Sequence, residues 1–224
     1  MSMLYRKDLR LLFPIFLTAV GFWVVLLAFG GIAYLMSDRP RPTSDLMTLL
    51  SAISAACLSS SAVVAPALGG AGVSLERQSG WSDFLATLPV SRGRWIGAKL
   101  AASATIFLAL MLPPIASFLF FDGLARSSPL SWSNDLNVIL TMLSSAIGGF
   151  GIAWLASTWL NSAVYASMIG IALVIGVYAA LAAWYHLTMP TVRPSGMPMN
   201  GVAALLGLFA TAIGCSRQSR RLEP

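Results

Sequence analysis

Few groups in this chain can do covalent chemistry, and none stands beside a partner that would activate it. There is one histidine, His186, two cysteines, Cys57 and Cys215, and two lysines, Lys7 and Lys99. A phosphate-binding loop needs G-x-x-x-x-G-K-[ST]. Lys99 follows Arg94-Trp95-Ile96-Gly97-Ala98, so the pattern fails and ATP is not bound here by that device. A proton relay or metal site inside a membrane wants ionisable partners, and His186 has none near it in sequence. Cys57 and Cys215 have no metal-ligand spacing, and each reads as a small buried hydrophobe. Serines are frequent, but no base lies beside them within the apolar runs. No catalytic, cofactor-binding or metal residue is assigned.

The chemistry that remains is recognition, and it concentrates in Leu75–Leu100, LERQSGWSDFLATLPVSRGRWIGAKL. This passage carries Glu76, Arg77, Asp83, Arg92, Arg94 and Lys99 between long charge-free runs. Ser79 can cap a helix, since its hydroxyl accepts from a free backbone N–H. Trp81, Phe84, Leu85 and Leu88 follow at i, i+3, i+4 and i+7, one apolar stripe over two turns. Pro89 ends the helix, because the residue before a proline avoids the α region. A helix of about nine residues is marginal alone in water, so it must dock. The stripe fits the membrane surface or a groove on another protein, with Trp81 and Phe84 as anchors.

The elements that must position this passage are membrane crossings. The 224 residues are 57% hydrophobic and 10% charged, and the mean hydropathy is +0.79. Soluble domains carry about 25% charged residues, so this chain cannot clothe a water-soluble globule. A crossing takes roughly 20 apolar residues as a helix. The charge-free runs predict six: 14–36, 46–73, 95–121, 136–158, 163–187 and 199–215. The run Leu136–Val192 is long enough for two, turning at Trp159-Leu160-Asn161-Ser162. The runs are continuously apolar rather than alternating, which argues against a β-barrel. A cleavable leader has a shorter apolar region and a small-residue cleavage site; 13–36 is read as a retained helix.

Charge sets the expected orientation. The N-terminal tail, 74–99, the 159–162 turn and the C-terminal tail hold ten Lys and Arg residues; the other loops hold Arg39, Arg41, Arg126 and Arg193. The positive-inside rule then places both termini in the cytoplasm. The net charge of +6 reads as this topology signal, and no nucleic-acid partner is expected. In residues 1–12, Tyr5, Leu9 and Leu12 share a stripe with Phe13, while Arg6, Lys7 and Arg10 lie off it. That suits an amphipathic interfacial segment leading into the first crossing; the alternative is a plain basic flank. Pro113-Pro114 removes two backbone donors from the third crossing, which predicts a kink or break there.

The residues Glu76, Gly80, Leu85, Leu88, Pro89, Val90, Ser91, Arg92 and Lys99 resemble the first cytoplasmic loop of ABC-2-type transporter permeases. The motif covers about 25 residues; six crossings, cytoplasmic termini and the basic N-terminal segment extend the resemblance along the chain. It implies an all-α membrane subunit of a bacterial exporter in the cytoplasmic (inner) membrane. Residues 1–12 would be the family's elbow helix, and 74–94 its coupling loop. Glu76, Gly80, Trp81, Asp83, Phe84, Leu85, Leu88 and Arg92 would contact a cytoplasmic ABC ATPase, present in two copies. That partner would hold ATP and Mg; this chain would hold no cofactor and would not be an enzyme. A second permease copy, or a related permease, would complete the pathway within membrane lipid. The segment 188–198 is too short for the pair of re-entrant helices that many members carry. The reading from another class is a non-transporting scaffold whose loop helix binds lipid or a non-ATPase protein.

Overall fold

A computed structural model describes residues 2–36, 43–78, 91–125, 132–188 and 196–221. They form six helices: α1 Ser2–Leu35, α2 Thr43–Gln78, α3 Arg92–Ala125, α4 Trp132–Ser157, α5 Ala163–Thr188 and α6 Gly196–Arg221. No strand occurs among the described residues. Each helix is long and apolar enough to cross a membrane. The chain is therefore an all-α, multi-pass membrane protein.

Two elements differ from the sequence expectation. Residues 2–12 do not form a separate element; they continue into the crossing as one 34-residue helix, about 50 Å long. Pro14 lies within it. Tyr5 and Leu9 pack, with buried Leu12, against a core that includes Leu68, Ala71, Ala102 and Ile106. The stripe that suited a lipid surface thus faces the bundle. Of the kink or break expected at Pro113-Pro114, the break is absent: α3 passes through as one helix. The carbonyl of Leu110, which Pro114 leaves without its usual donor, accepts a hydrogen bond from Ser61 of α2 at 3.1 Å. Hydrocarbon offers no water to do this, so a neighbouring helix must.

The helices alternate in direction. One end of the bundle gathers Lys7 of α1, Glu76 of α2 and Lys99 of α3. The opposite end gathers Thr141 of α4, Tyr178 of α5 and Asn200 of α6, through Tyr178 Oη–Asn200 Oδ1 (3.0 Å) and Asn200 Nδ2–Thr141 Oγ1 (3.1 Å). There too Ser51 of α2 donates to Asp122 of α3 at 3.4 Å.

α2 and α4 form the spine. α2 packs against α1, α3, α4 and α5, and α4 also packs against α5 and α6. Small residues allow the close approach. A side chain at Gly151 of α4 would collide with the carbonyl of Gly207 in α6, and one at Gly69 of α2 with the carbonyl of Phe150. The outer faces are apolar, with Phe22, Leu27, Phe29 and Ile32 on α1 and Val164, Met168 and Leu173 on α5 exposed. Hydrocarbon solvates such faces as well as protein does.

Gly151→Leu should force α4 from α6, because the obstacle is backbone and cannot rotate away. Overpacking costs about 1–3 kcal/mol even where side chains can shift. We expect a lowered unfolding temperature in detergent, whereas Gly176→Leu, where the added atom meets nothing within 4 Å, should leave it unchanged.

Candidate functional site

The passage singled out by the sequence begins at the end of α2 and ends at the start of α3. Gly80, Trp81, Asp83, Phe84, Leu85 and Leu88 lie outside the described residues. Arg92 opens α3, behind Ser91, whose carbonyl accepts from the backbone N–H of Arg94 (3.0 Å) and of Trp95 (3.2 Å). Glu76 stands two residues before the end of α2.

Glu76 does not present surface. It is 2% exposed, and its Oε1 receives Lys7 Nζ at 2.7 Å and Lys99 Nζ at 2.9 Å. Lys99 is equally enclosed, at 3%. Its ammonium also donates to the carbonyl of Gly72 at 2.7 Å and lies 3.6 Å from Asp8 Oδ1. Asp8 is itself buried. Two lysines and two acidic side chains thus form a quartet drawn from three helices, and both lysines of the chain are in it.

Local sequence explains the convergence. On α2, Gly72 and Glu76 are four residues apart and share a face; the carbonyl of one and the carboxylate of the other meet the same ammonium. On α3, Trp95 and Lys99 repeat that spacing, and Lys99 Nζ sits 5.0 Å from the Trp95 ring centroid, within cation–π range. On α1, Lys7 and Asp8 are adjacent, so one approaches Glu76 from the rim while the other reaches Lys99 in the interior. A charge in this position is tolerated only when paired and hydrogen-bonded.

Trp154 of α4 supports the quartet from below. It is fully buried and packs with Val73 and Ile96. A side chain at Gly72 would come within 2.5 Å of its Cζ3, and one at Gly214 of α6 within 2.7 Å of its Cδ1. The indole therefore fills the space that two glycines leave. At the rim, the guanidinium of Arg217 of α6 lies 4.3 Å from the Trp159 ring centroid, covering the α4–α5 turn.

Sequence reasoning selected Glu76 but missed Lys7, Asp8 and Trp154, and it used Lys99 only as a motif residue. The available clue was charge economy: a chain with only two lysines and two glutamates places both lysines and Glu76 within helices that cross the membrane. Among the described residues, no group of three or more His, Cys, Asp or Glu side chains is arranged to hold a metal. The arrangement ties the last turns of α2 to the first turns of α3 and to α1. The chain matches no family model, no curated protein and no solved structure.

Removing one member should strand the rest. Lys99→Met leaves two buried carboxylates with one ammonium, and breaking a buried pair typically costs about 3–5 kcal/mol. The double variant Lys99→Met/Glu76→Gln should lose less than the sum of the singles. Thermal unfolding in detergent micelles measures both; strict additivity would show that the two groups do not act together.

Proposed function

We propose that this chain is the permease subunit of an ATP-driven ABC-2-type exporter in a bacterial cytoplasmic membrane. It would act as a dimer, with itself or a related permease, and would be driven by two copies of a separate cytoplasmic ABC ATPase. The observation that carries this reading is the clamp at the root of the 79–90 segment. A loop that only bridges two crossings has no need of a four-charge anchor, whereas a loop that must deliver force does.

The mechanism follows from that anchor. The short amphipathic helix around Trp81, Phe84, Leu85 and Leu88 docks in a cleft of the ATPase, with Gly80, Asp83 and Arg92 at its borders. ATP binding closes the ATPase pair and displaces the docked helices. Because the ends of α2 and α3 are tied together through Glu76 and Lys99, the displacement is passed to both helices and to α1. The bundles then shift between inward-open and outward-open arrangements. Glu76 serves this task by holding the lever from within and not by touching the partner. Midway along the spans the core is apolar, which favours a hydrophobic or amphipathic substrate moving between two permease copies. With both termini on the charged end and that end basic, the cytoplasmic side is the one carrying the loop.

Purification of the protein from its own host tests the reading. An ATPase should co-purify and should be lost in Trp81→Asp and in Phe84→Asp, because a carboxylate in an apolar cleft forfeits the anchor energy that dominates such interfaces. Association unchanged by both substitutions, or capture of a partner without a phosphate-binding loop, would exclude the assignment and favour a scaffold.

A further inference from the structure

The last turns of α6 meet the turn between α4 and α5 at the charged end of the bundle. There the guanidinium of Arg217 stacks on Trp159, 4.3 Å from the ring centroid, and Trp159 is itself 52% exposed. A guanidinium carries its N–H donors around the edge of its plane, so stacking on a ring consumes none of them. Arg220 stands three residues further on and shares that side of the helix; it is exposed, as is Ser216. Ala212, Ile213, Ser216, Arg217 and Arg220 line one open groove of about 600 Å³. Neither α6 nor the α4–α5 turn contains an Asp or Glu, so the charge that these two elements bring is positive.

Next to the arginines the same face of α6 is apolar. Val202, Leu205, Phe209 and Ile213 follow at steps of three or four residues, and all four are exposed. From Val202 to Ile213 the strip runs about 17 Å, close to one leaflet of a hydrocarbon core about 30 Å thick. Ile213 is four residues before Arg217, so the apolar strip leads directly into the basic one.

We propose that this face of α6 binds an anionic phospholipid. The phosphate sits between Arg217 and Arg220, whose planar forks match its oxygens, and one acyl chain lies along Val202, Leu205, Phe209 and Ile213. Trp159 holds Arg217 in place before the lipid arrives, so less side-chain freedom is lost on binding. A zwitterionic lipid offers the same chains and phosphate but adds a cation that the arginines repel. This site belongs to the chain itself and does not depend on an ATPase engaging the 79–90 segment.

Lipid binding to the full chain in detergent tests the proposal, read by native mass spectrometry with dioleoyl phosphatidylglycerol or dioleoyl phosphatidylcholine, whose chains are identical. One arginine beside an anionic headgroup is worth about fivefold in affinity and two about thirtyfold, so phosphatidylglycerol should bind about thirtyfold tighter. Arg220→Gln should cut that preference about fivefold, and Arg217→Gln/Arg220→Gln should erase it. Arg94→Gln, at an exposed arginine of α3, should leave it intact. Phe209→Ser should weaken both lipids alike, and excess inorganic phosphate, which lacks the chain, should displace neither. Equal binding of the two lipids, or equal losses in Arg94→Gln and Arg220→Gln, would overturn the proposal. Displacement by inorganic phosphate would also overturn it, since that marks a simple anion site. If the double variant does not fold, Arg220→Gln alone decides the outcome.

Discussion

An ammonium group enclosed by protein at the edge of a bilayer must carry its counter-charge with it, and Lys99 imposes that condition on the whole charged end. It donates to a carboxylate and a carbonyl of α2 and pairs with a carboxylate of α1 3.6 Å away. None of the three partners could be withdrawn cheaply, because the low-dielectric surroundings that strengthen the bonds also raise the cost of leaving one unmade. At this end of the bundle α1, α2 and α3 are therefore joined through one side chain. The root of the loop between α2 and α3 is fixed as a by-product.

Elsewhere the bundle is held by the opposite means. α2, α4 and α6 meet where side chains are absent, with backbone against backbone at Gly69, Gly151 and Gly207. In hydrocarbon, apolar surface gains little by leaving lipid, so close van der Waals contact has to supply the attraction. The result is a division of labour. α2, α4 and α6 interlock through glycines, and α1, α2 and α3 share an apolar core that the charged quartet closes at one end.

The crossings were legible in the sequence because their code is length and absence of charge, which needs no knowledge of neighbours. The N-terminal stripe was only half legible. Tyr5, Leu9 and Leu12 give the same periodicity whether the surface they meet is lipid or another helix, so the pattern could not say that they pack on α2 and α3. Glu76 was selected for its place in a motif, but its direction was hidden. Lys7 lies 69 positions away along the chain, and no local rule pairs residues so distant. Trp154 was invisible for a related reason: a tryptophan near a helix end reads as an interfacial aromatic unless the glycines that receive it, Gly72 and Gly214, are known to face it. Of the kink or break expected at Pro113-Pro114, the break is absent, and the partner that replaces a lost bond, Ser61, belongs to a different helix.

The quartet also carries a chronology. A chain is made from its N-terminus, and early segments can settle before later ones exist. Lys7 and Asp8 lie on the first helix and Glu76 at the close of the second, so both acids and one ammonium are synthesised ahead of Lys99, whose charge completes the set. When the third helix arrives at the membrane, its ammonium finds a receptor already built and is never required to wait alone in oil. An order of synthesis reversed by circular permutation, with the third helix first, would expose that charge until its acids caught up, and assembly rather than the finished fold would be the step that suffers.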